Sequence, residues 1–468
     1  MREITIKPVS RVAGNAKITI HLNDEGEVAD SRFHVVEFRG FEKFCEGRMF
    51  WEMPLITSRI CGVCPVSHHL ASVKACDDLL KLDIPPAAKK LRELLMVTEY
   101  LSSHTAHFFY FAGPDFFFGP ESDPSLRNIV SLIEAKPEIT EKAIRLRQLG
   151  RTIIEQLGGS SIQPVTAIPG GMSKPLHYDD RFVVLKEVNE ALELARFTLG
   201  VGKEILDKFS DFGDSVPTKY LSLSKQDNLE LYDGMLKLID SDGNTIEEFD
   251  PRNYLDYIGE HVEDWSYAKF PFYAKSGYPD GMYRCGPLAR LNVAGNISTP
   301  EAGNELKEFK KLGDGGPVHK TIHYHYARLI EVLYAAERAR ELLLDDEIVS
   351  PDVRVKASRT AGEGIGVVEA PRGVLIHHYQ ADEAGKLEKV NLVVATTNNN
   401  LAINTSLKEV AKKFVSGDKL TEGALNKVEM AIRSYDPCLS CSTHMIGQMP
   451  LEIVLLDPNG HQLDMVGR

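Results

Sequence analysis

Cysteine is scarce in this chain, with seven in 468 residues, too few for the disulfide scaffold of a small secreted domain. Basic residues are outnumbered as well, 54 Lys and Arg against 67 Asp and Glu. The resulting net charge of −13 argues against nucleic acid or anionic lipid as a main partner, because binding phosphate needs clustered cations. No apolar run approaches the ~20 residues that span a bilayer. The opening residues, Met1 to Ile6, read as a strand and have no signal-peptide core. Also missing are a GxGxxG turn opening a βαβ unit and a spare cysteine quartet. The chain by itself is therefore expected to bind neither a dinucleotide nor an iron–sulfur cluster. What remains is the composition of a soluble globular enzyme, 43% hydrophobic and 26% charged. Its length suits one large domain or roughly two to three smaller ones.

The pattern along the chain predicts an α+β fold, a core of long crossing helices flanked by mixed α/β regions. Strands are expected at Glu3–Lys7, Ala16–Leu22 and Arg32–Phe38, where residues alternate or are β-rich. Pro65, directly after Cys64, suits the first turn of a helix with Val66, Leu70 and Val73 on one face. From Lys89 to about Phe111, Leu91, Leu94, Leu95, Thr98, Leu101, Thr105 and Phe108 keep the three-or-four spacing of a buried stripe. Further helices are expected over Glu141–Leu157, closed by Gly158-Gly159, over His319–Leu344, and over Glu422–Tyr435 before Pro437. Thr218–Gly313 reads as a peripheral α/β region, with strands returning at Gly373–Gln380 and Lys389–Ala395.

Four of the cysteines form two CxxC pairs, Cys61/Cys64 and Cys438/Cys441. Two such pairs offer four sulfur ligands to metal. Zinc ribbons set their pairs about 15–20 residues apart. Here 374 residues separate Cys64 from Cys438 (438 − 64), which places any shared site inside an already large fold. Structural zinc and unrelated redox or packing cysteines stay open on spacing alone. The flanks add Arg59, His68 and Asp436, groups able to serve as counter-charges and hydrogen-bond partners around thiolates, and His444 follows the second pair as His68 follows the first. Cys45, Cys76 and Cys285 stand alone and read as buried small hydrophobes.

With these flanks, Arg59–His68 fits RxCGxCxxxH and Asp436–His444 fits DPCxxCxxH, and the chain resembles the large subunits of [NiFe] hydrogenases. The likeness extends to Phe38–Glu42, Gly364–Gly373 and Leu392–Thr396, so it spans essentially the whole chain. Gly277–Gly281 and Cys438–Leu451 look most like the cytoplasmic, bidirectional, NAD-linked branch. The resemblance implies nickel held by Cys61, Cys64, Cys438 and Cys441, with Cys64 and Cys441 bridging to iron. It implies that Pro371, Arg372 and Thr396 surround carbon monoxide and cyanide ligands of that iron, with His68 nearby. Glu42, the carbonyl of Leu392 and His444 match a magnesium site. Heterolytic hydrogen cleavage would send a proton to a thiolate, Cys438, beneath Arg372. The implied partners are an iron–sulfur small subunit, diaphorase subunits and a maturation endopeptidase, and no nucleic acid or membrane span is expected. The domain reading is a single unit over residues 1–444. The 24 residues beyond His444 (468 − 444) form a tail removed on maturation, with strands flanking Asn459-Gly460 as a hairpin.

Three positions depart from the family pattern. Ala13 stands where a proton-relaying glutamate is usual, Asn15 replaces a histidine, and Gln163 stands where many relatives have histidine. These departures imply another carboxylate or a water path, slow cycling, or hydrogen sensing. Competing readings are the same subunit coupled to a heterodisulfide reductase or ferredoxin, and a non-catalytic scaffold akin to the quinone-site subunit of respiratory complex I. The retained cysteines and His444 argue against the last.

Overall fold

Three of the long helices begin where proline supplies a fixed φ and needs no N–H partner. The computed structural model describes residues 2–357, 362–415 and 421–442, and the strands Glu452–Leu456 and Gln462–Gly467. Among them α1 (Pro65–Leu80), α2 (Pro86–Ala106) and α3 (Pro137–Gly158) each carry Pro in the first turn. α4 (Tyr178–Asp207), α5 (His323–Leu344), α6 (Asn400–Phe414) and α7 (Glu422–Tyr435) complete the long helices. α2 packs against α3 and α5, and α5 against α4. The stripe expected from Leu91 to Phe108 is buried in this packing. Gly159 closes α3 in the left-handed conformation, φ 81°.

The Lys89–Phe111 helix differs from expectation at both ends. It starts at Pro86, and over His107–Ala112 it widens into a π-helical turn. Pro114 has no N–H to continue the α pattern, and the Gly113 N–H reaches back five residues to the Phe108 carbonyl. This widening lies beside the cysteine site described below.

Three sheets of three or more strands frame the helices. β1 (Arg2–Ile6), β2 (Ala16–Leu22) and β3 (Val28–Val35) form an antiparallel meander, so the third strand starts four residues earlier than Arg32. β4 (Gly362–Ala370), β5 (Gly373–Ala381) and β6 (Leu387–Val393) form another. The expected peripheral region is a five-stranded mixed sheet including Lys219–Lys225 and Met235–Ile239, with short helices after it. Leu221, Leu223, Leu236 and Leu238 pack with Val374, Ile376 and Val393 into a second, smaller core. Glu452–Leu456 and Gln462–Gly467 pair antiparallel, and the expected turn at Asn459-Gly460 lies outside the described residues.

Two glycines set the position of α1. A Cβ at Gly364 would lie 2.1 Å from the Ala75 carbonyl oxygen, and one at Gly366 would lie 2.0 Å from that of Ala71. Only glycine lets the α1 backbone lie directly on β4, and the N-cap of that helix is Cys64.

Candidate metal centre

The two ends of the chain meet at the four paired cysteines. Their sulfurs lie within 4.8 Å of one another, and all four residues are buried. Cys61 Sγ is 3.1 Å from Cys438 Sγ, Cys64 Sγ is 3.5 Å from Cys441 Sγ, and the Cys438 and Cys441 sulfurs are 3.0 Å apart. These separations are far longer than the ~2.05 Å of a disulfide. Sulfurs about 2.3 Å from one tetrahedral zinc would stand about 3.8 Å apart. The closer 3.0–3.5 Å spacing suits a square-based ion such as nickel better.

Local structure explains the clustering. The Cys61–Cys64 segment folds into the first turn of α1, and Cys61 Sγ accepts the N–H groups of Val63 and Cys64. At the other end α7 stops at Asp436, whose φ of 56° is left-handed, and Pro437 prevents its continuation. The Leu439 N–H then donates to the Ala13 carbonyl, 2.7 Å, which ties the second pair to the N-terminal segment. Cys438 N–H donates to Thr396 Oγ1, 3.0 Å.

Charge dictates what such a cluster needs. Neighbouring sulfurs, Cys438 first, hold Cys61 well below the ordinary thiol range, with Arg372 adding to the effect. Cys64 is pushed up, chiefly by the Cys438 sulfur, and Cys441 is pushed up by burial. Ionising these sulfurs together in a buried site requires positive charge beyond one guanidinium. Two metal ions supply that charge, so the donor set fits nickel and iron.

Arg372 reaches the cluster, and Arg39 donates to the carbonyls of Ile60 and Ser440 beside the two pairs. Arg372 is 2% exposed, and its Nε donates to the Asp436 carbonyl at 2.6 Å, Nη2 to Asp436 Oδ1 at 2.9 Å, and Nη1 to Ser103 Oγ at 3.4 Å. Burial opposes ionisation of Asp436, but Arg372 and His107 outweigh it and hold the carboxyl below its usual range. His107 Nδ1 lies 2.8 Å from Asp436 Oδ1. The turn that presents Pro371 and Arg372 is anchored from behind by Arg290, which donates to the carbonyls of Ala370 and Pro371 and pairs with Glu331 and Glu369.

His68 is buried with its Nδ1 3.1 Å from His377 Nε2, and His377 Nδ1 is 2.7 Å from Tyr379 Oη. Burial holds the His68 imidazole down to about 4, so it is neutral at pH 7. Glu42 Oε1 accepts the Leu392 N–H at 2.8 Å and the Lys269 ammonium at 2.9 Å, so two of the three expected magnesium ligands are neighbours. Burial raises the Glu42 carboxyl. The Lys269 ammonium and the Leu392 N–H, rather than the expected Leu392 carbonyl, meet this carboxylate and oppose the effect of burial. His444 lies outside the described residues. Arg59 is the correction: it is exposed and donates to the Leu55 carbonyl, so Arg372, not Arg59, supplies the charge at the sulfurs.

The spacing patterns missed Glu99, Ser103 and His107. They recur every four residues along the buried side of α2 and its π turn, and that spacing was the available signal.

Residues 39–143 and 222–444 match the family described as nickel-dependent hydrogenase, and residues 3–38 match one described as HoxL-like. The chain is 40% identical to the NAD-reducing hydrogenase HoxS subunit beta of Cupriavidus necator, over 99% of each chain. It is 41% identical to an F420-non-reducing hydrogenase subunit of Methanothermobacter thermautotrophicus, over 100% of each. A solved NAD+-reducing [NiFe]-hydrogenase in the H2-reduced state superposes with a TM-score of 0.92 at 41% identity, covering 95% of this chain and 100% of that one. The Ni-Fe-Se hydrogenase of D. vulgaris Hildenborough superposes at 0.78 with 25% identity, covering the same shares. The buried sulfur quartet and these full-length likenesses agree: the chain belongs to the nickel-dependent hydrogenase family, as a large subunit.

Proposed function

We propose that this subunit carries the hydrogen-cleaving centre of a cytoplasmic [NiFe] hydrogenase, interconverting H2 with two protons and two electrons. The observation that carries the reading is the quartet of buried sulfurs drawn from opposite ends of the chain beneath Arg372. Cys61, Cys64, Cys438 and Cys441 would hold nickel, and Cys64 and Cys441 would also serve iron. When bound, the two metals supply an open position for H2 and accept its electrons. Pro371, Arg372 and Thr396 would surround carbon monoxide and cyanide ligands of the iron, the guanidinium offering fixed donors to a cyanide nitrogen. Glu42, the Leu392 carbonyl and His444 would hold magnesium.

The residues divide the work by charge. The Cys438 sulfur takes the proton from H2, and Arg372 favours the developing negative charge while Asp436 holds its plane in place. Burial of all four cysteines excludes bulk water. Electrons leave through an iron–sulfur small subunit. Passage onward to NAD(P) through diaphorase subunits is supported by the relative named NAD-reducing. F420-non-reducing relatives at 41–45% identity favour a second reading, in which another acceptor such as a heterodisulfide reductase or ferredoxin takes the electrons. The tail after His444 is trimmed by a maturation endopeptidase, leaving one domain over residues 1–444.

Elemental analysis of the anaerobically purified complex tests the centre. One nickel per chain with infrared bands of carbon monoxide and cyanide is expected. Zinc at full occupancy in active material would refute it.

A further inference from the structure

The hairpin between β4 and β5 turns through two residues, Pro371 and Arg372, between the paired Ala370 and Gly373. Two-residue turns that match the twist of their strands need a positive φ at the first position, and proline holds φ at about −65°. The turn therefore cannot adopt the geometry that would steady it from within. Its residues are buried, so each carbonyl needs a partner, and side chains from elsewhere supply them. Arg290, in the short helix Pro287–Val293, donates to the carbonyls of Ala370 (3.0 Å) and Pro371 (2.9 Å). Asn399, the N-cap of α6, donates to the carbonyl of Arg372 (3.3 Å). Gly286 closes in on the same oxygen, where a Cβ would stand 2.8 Å away. Three successive carbonyls of the turn are thus captured.

The two captors are themselves fixed. A guanidinium has five N–H donors, and the three that Arg290 has left go to Glu331 (2.5 and 2.7 Å) and Glu369 (2.7 Å), both fully buried. Glu331 lies in α5 and is met by His104 of α2 at 2.8 Å, while Glu369 accepts the Leu223 N–H at 2.9 Å. Asn399 Oδ1 accepts the Cys285 N–H at 2.8 Å, and its amide also reaches the Ala395 carbonyl at 3.4 Å. That last bond ties the Arg372 turn to the segment carrying Thr396, whose hydroxyl oxygen accepts the Cys438 N–H at 3.0 Å. Arg372 meets the same stretch at the carbonyl and carboxylate of Asp436. Apolar side chains of similar volume often match a buried ion cluster in stability, so stability alone does not account for Arg290. What the cluster supplies is direction, because a planar fork with every donor engaged has one position. We propose, on the hydrogenase reading above, that Arg290 and Asn399 are positioning residues of this centre, which fix the Arg372 guanidinium and the Thr396 hydroxyl on the Asp436–Cys438 segment.

The test compares wild type with Arg290→Lys and Asn399→Ala in the assembled complex. Arg290→Lys keeps the charge between Glu331 and Glu369 but cannot hold both carbonyls as well. Turnover per nickel is expected to fall roughly 10²-fold, the effect of about 1 Å of misplacement, with kcat changing more than KM for H2. The infrared bands of the cyanide ligands should shift, because the donors that Arg372 offers them move. Asn399→Ala leaves the ion cluster intact and should shift the same bands by less. In an Arg372→Lys background, Arg290→Lys should cost less than it does alone, because the fork it positions is already gone. A lowered melting temperature with wild-type bands and wild-type turnover per nickel would mark a structural role only and overturns the proposal. So do losses that multiply in full in the double variant. If Arg290→Lys fails to assemble, Asn399→Ala decides, and unshifted bands there overturn the proposal. A wild type without nickel or hydrogen chemistry would instead sink the hydrogenase reading itself.

Discussion

Replacing Gly366 by alanine places one methyl group between β4 and α1 without touching a ligand. The backbone of Gly366 has no positive φ, so alanine brings no conformational penalty of its own and the effect is purely steric. Its Cβ would stand 2.0 Å from the Ala71 carbonyl oxygen and 2.4 Å from the Ala75 nitrogen. Contacts under 3.0 Å are essentially never tolerated and ordinary contact begins at 3.4 Å, so α1 must move by 1.0–1.4 Å (3.0 − 2.0 to 3.4 − 2.0). Both neighbours are backbone atoms, and no rotamer change relieves the clash. Overpacking of this kind costs about 1–3 kcal/mol. The larger consequence lies at the end of the helix. Cys64 caps α1 and its sulfur must stay 3.5 Å from Cys441, so a shift of that size opens the quartet. A misplacement of about 1 Å is worth roughly 10²-fold in rate. Gly366→Ala should fold with a lowered melting temperature, contain less than one nickel per chain, and lose most hydrogen-oxidation activity. Full nickel content with wild-type activity would refute the argument that glycine at this position sets the sulfur geometry.

Three further outcomes are expected. Arg372→Lys keeps the charge but cannot keep both bonds to Asp436. Losing one charge-assisted bond, about 1.5–3 kcal/mol, should slow turnover roughly 10- to 100-fold with nickel content unchanged; a wild-type rate would show that the planar fork is dispensable. Burial holds His34, His69, His104 and His323 down to about 4. Because each folded value lies below the ordinary 6.5, the unfolded chain binds protons first, and stability is lost as pH falls from about 6.5 toward 4. Melting temperatures should be level above about pH 7 and fall steeply below 6.5, whereas a level curve down to about pH 4.5 would contradict the burial argument. Intact-mass measurement of mature, active protein should show a chain ending after His444, and one still ending at Arg468 would show that no trimming occurs.

The sequence announces the sulfur quartet because a CxxC pair and its helix start are local: Cys61, Cys64 and Pro65 specify one turn, and Asp436, Pro437 and Cys438 end another. The long helices with a clean apolar stripe, such as α2 and α7, were legible for the same reason. α4 was not. Its buried face uses Ala191, Ala195 and Gly202 among larger residues, while Tyr178, Phe182 and Val183 are exposed, which blurs the periodicity over thirty residues. The surroundings of the sulfurs were less legible still, and Arg59 shows why. Adjacent in sequence to the first cysteine pair, it points to solvent, whereas Arg372 reaches the cluster from 308 residues beyond Cys64 (372 − 64). Glu99 bonds to backbone N–H groups 32 and 33 residues away, and backbone donors leave no mark in a residue pattern. A motif therefore identifies the atoms that bind metal, because their spacing must match one ion. The groups that set the charge around those sulfurs are chosen by packing between distant helices. The stripe of Glu99, Ser103 and His107 is such a choice: it follows the four-residue spacing of α2, and nothing in a cysteine motif requires it.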